Sequence, residues 1–164
     1  MRAMIMAAGV GSRLMPLTAT VPKPMVPMAN RPLMENILGI LREHGFNRII
    51  ANLHCHGPLI KGHFRDGKDF GVELYYSEEE ELAGTAGGVK RCAWFLQDTF
   101  VVMSGDALTD VDLTELVAAH RQKGALATIA LKPMEDVENY GVVITDETGR
   151  IRSFQEKPRR EEAL

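Results

Sequence analysis

Ala3-Met4-Ile5-Met6-Ala7, followed without a break by Ala8-Gly9-Val10-Gly11-Ser12-Arg13-Leu14, sets the topology that the rest of the chain follows. The first five residues are an apolar run of strand length, and the glycines end it in a loop. In open α/β sheets, ligands bind in the crevice beyond the carboxyl ends of the strands. Gly9 and Gly11 let the backbone come close to a ligand, Ser12 brings a hydroxyl, and Arg13 brings a planar fork that matches phosphate. The spacing is not the dinucleotide fingerprint, because the third glycine of G-x-G-x-x-G falls at Leu14. It is not a P-loop either, because no Gly-Lys-Ser/Thr follows. A plain tight turn accounts for the two glycines equally well.

Outward from this stretch, strand-like and helical patterns alternate. A helix is expected over Leu33 to His44, a strand over Arg48 to Leu53, a short helix over Pro58 to Phe64 and a strand over Val72 to Tyr76. The series continues with a helix over Thr85 to Leu96, a strand over Phe100 to Ser104, a helix over Leu113 to Lys123 and a strand over Ala127 to Leu131. Strands separated by helices imply right-handed crossovers and a mainly parallel sheet covered on both faces. Gly141 to Thr145 and Arg150 to Phe154 flank Asp146-Glu147-Thr148-Gly149, a turn composition, so an antiparallel ribbon is expected near the C-terminus. The predicted class is therefore α/β, with a Rossmann-like open, mainly parallel sheet flanked by helices. The 164 residues, 45% hydrophobic and 25% charged, fit one globular domain over 1–164. The closing residues Arg159 to Leu164 complete no element, so a chain cut at its C-terminus is expected.

Composition excludes several function classes. Nineteen basic against twenty-two acidic residues give a formal charge of -3, which supplies no broad basic surface for nucleic acid. Arg2 and the apolar residues after it imitate a secretory signal only until Gly9, and no apolar stretch reaches membrane-spanning length. Two cysteines, Cys55 and Cys92, imply no disulfide framework and favour a reducing compartment. The expectation is a soluble, cytoplasmic chain. His54-Cys55-His56 lacks zinc-type spacing, and in a strand the two histidines would share one face with the cysteine opposite.

Four further segments bear chemistry. Prolines on both sides of Lys23, in Pro22-Lys23-Pro24-Met25-Val26-Pro27, stiffen the backbone that carries it, and a fixed cation near the glycine loop suits a triphosphate. Gly84-Thr85-Ala86-Gly87-Gly88 opens a helix and follows the acidic run Glu78 to Glu81. A carboxylate there, Glu79 or Glu81, could accept from two adjacent N–H donors of the kind guanine offers, while a solvated face is the better account of the other three. Asp106 sits at the carboxyl end of the strand ending at Ser104 and would suit Mg²⁺ alongside phosphate oxygens; Asp112 reads as a helix N-cap. Glu156-Lys157-Pro158 and Gly141 border the ribbon, where a carboxylate and a lysine could hold a polyol and its phosphate, or simply pair at the surface.

Taken together and in this order, the Gly-x-Gly-Ser-Arg loop, Pro16-Leu17-Thr18, the Pro-Lys-Pro element, Gly84-Thr85-Ala86-Gly87, Gly105-Asp106 and Glu156-Lys157-Pro158 resemble the sugar-phosphate nucleotidylyltransferases, of nucleotide-diphospho-sugar transferase fold. The resemblance is greatest to mannose-1-phosphate guanylyltransferases and spans essentially the whole chain. It implies that Ala8, Gly9, Gly11 and Ser12 lie along the nucleotide and that Arg13 and Lys23 neutralise its phosphates. It further implies that Glu79, Gly84 and Thr85 face the base, that Asp106 holds Mg²⁺, and that Gly141, Glu156 and Lys157 hold the sugar phosphate. The implied partners are a nucleoside triphosphate, GTP, and a sugar 1-phosphate, mannose 1-phosphate, joined with loss of pyrophosphate; the oligomeric state stays open. Glucose 1-phosphate with UTP or dTTP is the alternative within the class, and a non-catalytic regulatory relative the alternative outside it. Ser12 stands where the family usually carries Thr. Family members also continue past the Glu-Lys-Pro element, with a second metal-binding aspartate that this chain lacks.

Overall fold

Alternate residues of a strand face opposite sides of a sheet, so a strand whose consecutive residues are all buried must be covered on both faces. Arg2–Met6 (β1) meets that condition: Ala3, Met4 and Ile5 are fully buried. The computed structural model describes residues 1–159. The polar ending expected over Arg159 to Leu164 thus lies, from residue 160 on, outside the described residues. The chain divides into two compact units, Met1–Glu115 and Leu116–Leu164, described separately below.

In the first unit, β1 is followed by a two-residue hairpin of Pro27–Met28 (β2) and Arg31–Pro32 (β3), by the helix Leu33–Glu43 (α1) and by the strand Arg48–Leu53 (β4). Next come the helix Gly57–Phe64 (α2), the strand Glu73–Glu78 (β5), the helix Gly84–Arg91 (α3) and the strand Phe100–Ser104 (β6). The sheet order is β5-β4-β1-β6, with all three pairings parallel. Parallel pairing brings every carboxyl end to one rim: Met6 lies opposite both Asn52 and Ser104, and Asn52 opposite Ser77. The expected parallel α/β sheet is therefore present.

Its core follows from the strand periodicity. Met4 and Ile50, on one face, pack with Cys92, Phe95 and Leu96 from the segment after α3. In α1, Leu33, Met34, Ile37, Leu38 and Leu41 are buried at three- and four-residue spacing, one apolar stripe.

In the second unit, Gly141–Thr145 (β7) and Ile151–Glu156 (β8) form the expected antiparallel ribbon, with a register irregularity at Ile144/Thr145. Between the units' ribbon and sheet in sequence runs the helix Leu113–Lys123 (α4). Asp112 caps it as expected, its Oδ1 accepting the Glu115 N–H at 2.9 Å.

Three expectations are corrected. Ala127 to Leu131 forms no strand, since among the described residues no strand pairs with it, and Leu126 beside it is wholly exposed; without a neighbouring strand an apolar run has no ladder to join. The helix expected over Thr85 to Leu96 ends at Arg91, and 92–95 continue only as turns. The strand before His54-Cys55-His56 ends at Leu53, and His56 adopts a left-handed φ of 57°, so strand alternation does not govern this triplet. The β2–β3 hairpin was not expected, because prolines lie within it; Ala29 and Asn30 turn it with φ of 51° and 63°.

Candidate functional site

Parallel strands deliver their following loops to the same rim, and there the first unit opens a cleft of about 380 Å³. That size lies within the range of small-molecule sites, roughly 300–1,000 Å³. Every residue expected to lie along the nucleotide or its phosphates borders it: Ala8, Gly9, Gly11 and Ser12, then Arg13 and Lys23, then Glu79, Gly84 and Thr85, and finally Asp106.

The glycine loop is shaped by its own backbone. Gly11 has φ of 67°, and a Cβ on it would meet Thr18 Cγ2 at 2.9 Å, so both conformation and space demand glycine. Its carbonyl accepts the Thr18 hydroxyl at 2.7 Å and the Leu14 N–H at 3.0 Å, closing a short 3-10 turn over Ser12–Leu14. Thr18 is buried, so this latch on the loop is fixed. Arg13 stands exposed on the turn.

Lys23 is carried as its flanking prolines imply. Pro22 accepts the Met25 N–H at 2.8 Å, Lys23 accepts the Val26 N–H at 3.1 Å, and Pro24 is buried. The ammonium lies 2.5 Å from Asp106 Oδ2, with both side chains about a third exposed. Asp106 is set by β6, whose line the Gly105 N–H continues by donating to Met6 O at 2.9 Å. Burial pushes the Asp106 carboxyl up, but the Lys23 ammonium and the donating Ser104 hydroxyl more than offset this and hold it below the usual range. A charged oxygen donor beside a cleft suited to phosphates is what Mg²⁺ takes when substrate oxygens complete its shell, so the residues fit that ion. Among the described residues no group of three or more His, Cys, Asp or Glu could hold a metal by itself.

On the opposite wall the acidic run separates as charge in a loop should. Glu78 pairs with Lys61, and Glu80 and Glu81 are exposed, whereas Glu79 is buried. Its Oε1 accepts from the Asn52 amide at 2.9 Å and its Oε2 from the Ala83 N–H at 3.0 Å. Both carboxylate oxygens are thus already engaged. The sequence assigns no role to Asn52 or Ser104, and Thr18 enters it only as part of the Pro16-Leu17-Thr18 motif. The available signal for Asn52 was a polar side chain inside the apolar strand Arg48-Ile49-Ile50-Ala51-Asn52-Leu53, where burial requires a hydrogen-bond partner.

In the second unit, Gly141 and Glu156 face each other across the ribbon, and the Lys157 N–H donates to Tyr140 O at 3.1 Å. The structure brings these three expected sugar-phosphate residues together at one end of the ribbon.

Comparison with known proteins places this geometry among relatives. The nucleotidyl transferase family matches residues 2–164. A UTP–glucose-1-phosphate uridylyltransferase of Synechocystis is 49% identical over all of this chain and 46% of its own length. A mannose-1-phosphate guanylyltransferase of Mycobacterium tuberculosis is 35% identical over 94% of this chain and 44% of its own. The chain spans less than half the length of these two relatives. Among solved structures, a Bacillus anthracis protein assigned as a glucose-1-phosphate thymidylyltransferase, in complex with a sucrose, aligns with a TM-score of 0.87 and 25% identity. It covers 96% of this chain and 64% of that one.

Proposed function

Because the chain belongs to the nucleotidyl transferase family, we propose that it binds a nucleoside triphosphate and takes part in moving the nucleotidyl group to a sugar 1-phosphate. The observation that carries this reading is the convergence of the Gly11 turn, Arg13, Lys23 and Asp106 on one cleft. An oxygen of the sugar phosphate attacks the α-phosphorus. The bond from that phosphorus to the bridging oxygen breaks, and pyrophosphate departs with the electron pair. The attacking oxygen is already anionic, so no general base is required; placement and charge neutralisation are the protein's share. Arg13 and Lys23 supply fixed cations beside the glycine turn. Asp106, with phosphate oxygens, would hold Mg²⁺, which when bound offsets phosphate charge. Gly141, Glu156 and Lys157 are the residues for the sugar phosphate. Action in the cytoplasm, where triphosphates are abundant and the free thiols of Cys55 and Cys92 persist, belongs to the same proposal. Among the described residues, no helix is long and apolar enough to cross a membrane.

For the base, two readings compete. GTP with mannose 1-phosphate is supported by the guanylyltransferase relative and would need Glu79 to accept from guanine. UTP with glucose 1-phosphate is favoured by one specific observation: Glu79 is buried and each of its oxygens already accepts one hydrogen bond, so little of the carboxylate is open to guanine's paired donors. The uridylyltransferase relative points the same way. The test crosses GTP, UTP, dTTP, ATP and CTP with mannose and glucose 1-phosphates and Mg²⁺, reading melting temperature and pyrophosphate release. Stabilisation by UTP above GTP is expected. A larger response to GTP would restore the guanine reading, and no response to any triphosphate would overturn the proposal.

A further inference from the structure

We infer that Asn52 is a positioning residue that ties the phosphate loop to the base-side wall of the cleft; the inference rests on the nucleotide reading above. Asn52 is 1% exposed and sits on β4 opposite the last residue of β1. Its Oδ1 accepts the N–H of Ala7, the first residue beyond β1, at 2.8 Å. Its Nδ2 donates to Glu79 Oε1 at 2.9 Å, and Glu79 Oε2 accepts the N–H of Ala83, just before α3, at 3.0 Å. Three hydrogen bonds through two buried side chains thus join the start of the glycine loop to the start of the helix opposite.

Only a side-chain amide of this size meets both demands. The Ala7 N–H requires an acceptor and the Glu79 carboxylate requires a donor; Asp offers no donor when charged, and Leu offers neither. Gly88 adds an independent sign of the same constraint. Alanine is preferred in a helix interior, yet a Cβ at 88 would lie 2.9 Å from both Asn52 Nδ2 and Glu79 Oε1, so the seat of α3 is set by that one bond. The other ionisable groups facing Glu79 are His54, whose Nδ1 bonds the Glu79 carbonyl oxygen at 2.8 Å, and the buried thiol of Cys92.

Asn52 also borders the cleft, and a change there should act on both of its walls at once. In Asn52→Asp, two carboxylates face each other at neutral pH, and acid restores a donor when one of them takes up a proton. Calorimetric titration with UTP and GTP from pH 5 to 8 should therefore show Asn52→Asp weakened at pH 8 by about tenfold or more, recovering toward wild type as pH falls. A second readout needs no ligand: in Asn52→Ala the amide protons of Ala7 and Ala83 should both exchange faster. Gly88→Ala, which presses on the same bond from α3, should produce the same paired loss if Asn52 variants fail to fold. Wild-type affinity in Asn52→Asp at every pH, or retained protection at Ala7 and Ala83, would overturn the inference. A wild-type chain that binds no triphosphate would instead sink the nucleotide reading, while amide exchange would still decide the tie itself.

Discussion

The sheet around β1 and the ribbon of β7 and β8 both carry candidate site residues at strand ends, yet they hold them by opposite means. In the sheet, three consecutive residues of β1 and five of β4 are buried, and the loops beyond are fixed by bonds between elements far apart in sequence. In the ribbon, no residue of β8 is buried and Phe154 is 65% exposed; one carboxylate gathers most of the bonds of its turn. The Asp146 Oδ1 accepts the Thr148 hydroxyl and the Thr148 and Arg150 N–H groups, while Oδ2 meets Arg152 at 2.8 Å. The residues proposed for the triphosphate thus depend on the core, whereas the ribbon that carries Gly141 and Glu156 rests mostly on bonds close in sequence, with one from Lys123 to Thr148 O. Damage to the core should cost the first and spare the second.

The largest effect should follow Ile50→Ala, which empties a fully buried site packed against Met4 and Phe95. It should cost about 2–5 kcal/mol in denaturant unfolding of the first unit. An unchanged midpoint would break the contrast. Gly11→Ala should come next, at about 1–3 kcal/mol, because it combines a left-handed φ with a 2.9 Å approach to Thr18. Beyond that cost it should lose the triphosphate-dependent rise in Tm, and a variant that kept this rise would remove the turn from the site.

Acid sharpens the comparison from the ribbon side. Hydrogen bonding from Thr148, helped by the Arg150 and Thr148 amides and by Arg152, holds the Asp146 carboxyl at about 2. Its folded value lies below the ordinary 3.8, so its support for the turn is complete above about pH 4 and is lost as pH falls through 2. Ribbon amide shifts should move over that window in wild type and not in Asp146→Asn. The smallest effect belongs to Phe154→Ala, within about 0.5 kcal/mol for so exposed a side chain. A loss comparable with that of Ile50→Ala would show that the ribbon has a buried face of its own.

What could be seen in the sequence follows the same division. Local devices were legible: the glycine turn, the prolines around Lys23, the Asp112 cap and the Asp146 to Gly149 turn each depend on residues a few positions apart. The parallel sheet was legible too, because the β1 and β4 runs are apolar on both faces. Ala127 to Leu131 misled because a strand is defined by its partner, which composition does not reveal. The burial of Glu79 was hidden for the same reason. Nothing within Glu78 to Glu81 distinguishes the second glutamate, and it is Asn52, on another strand, that makes its burial tolerable.

The most direct test of the account is titration of this chain with UTP and GTP by calorimetry, in wild type, Arg13→Ala and Lys23→Ala, with circular dichroism to verify the fold. Each cation bonding to phosphate contributes about 1.5–3 kcal/mol. Saturable binding in wild type that weakens by about tenfold to a hundredfold in each variant, with the fold retained, is the predicted result. Equal affinity in all three, or no binding in any, would contradict the claim that the glycine turn and its two cations form a triphosphate site.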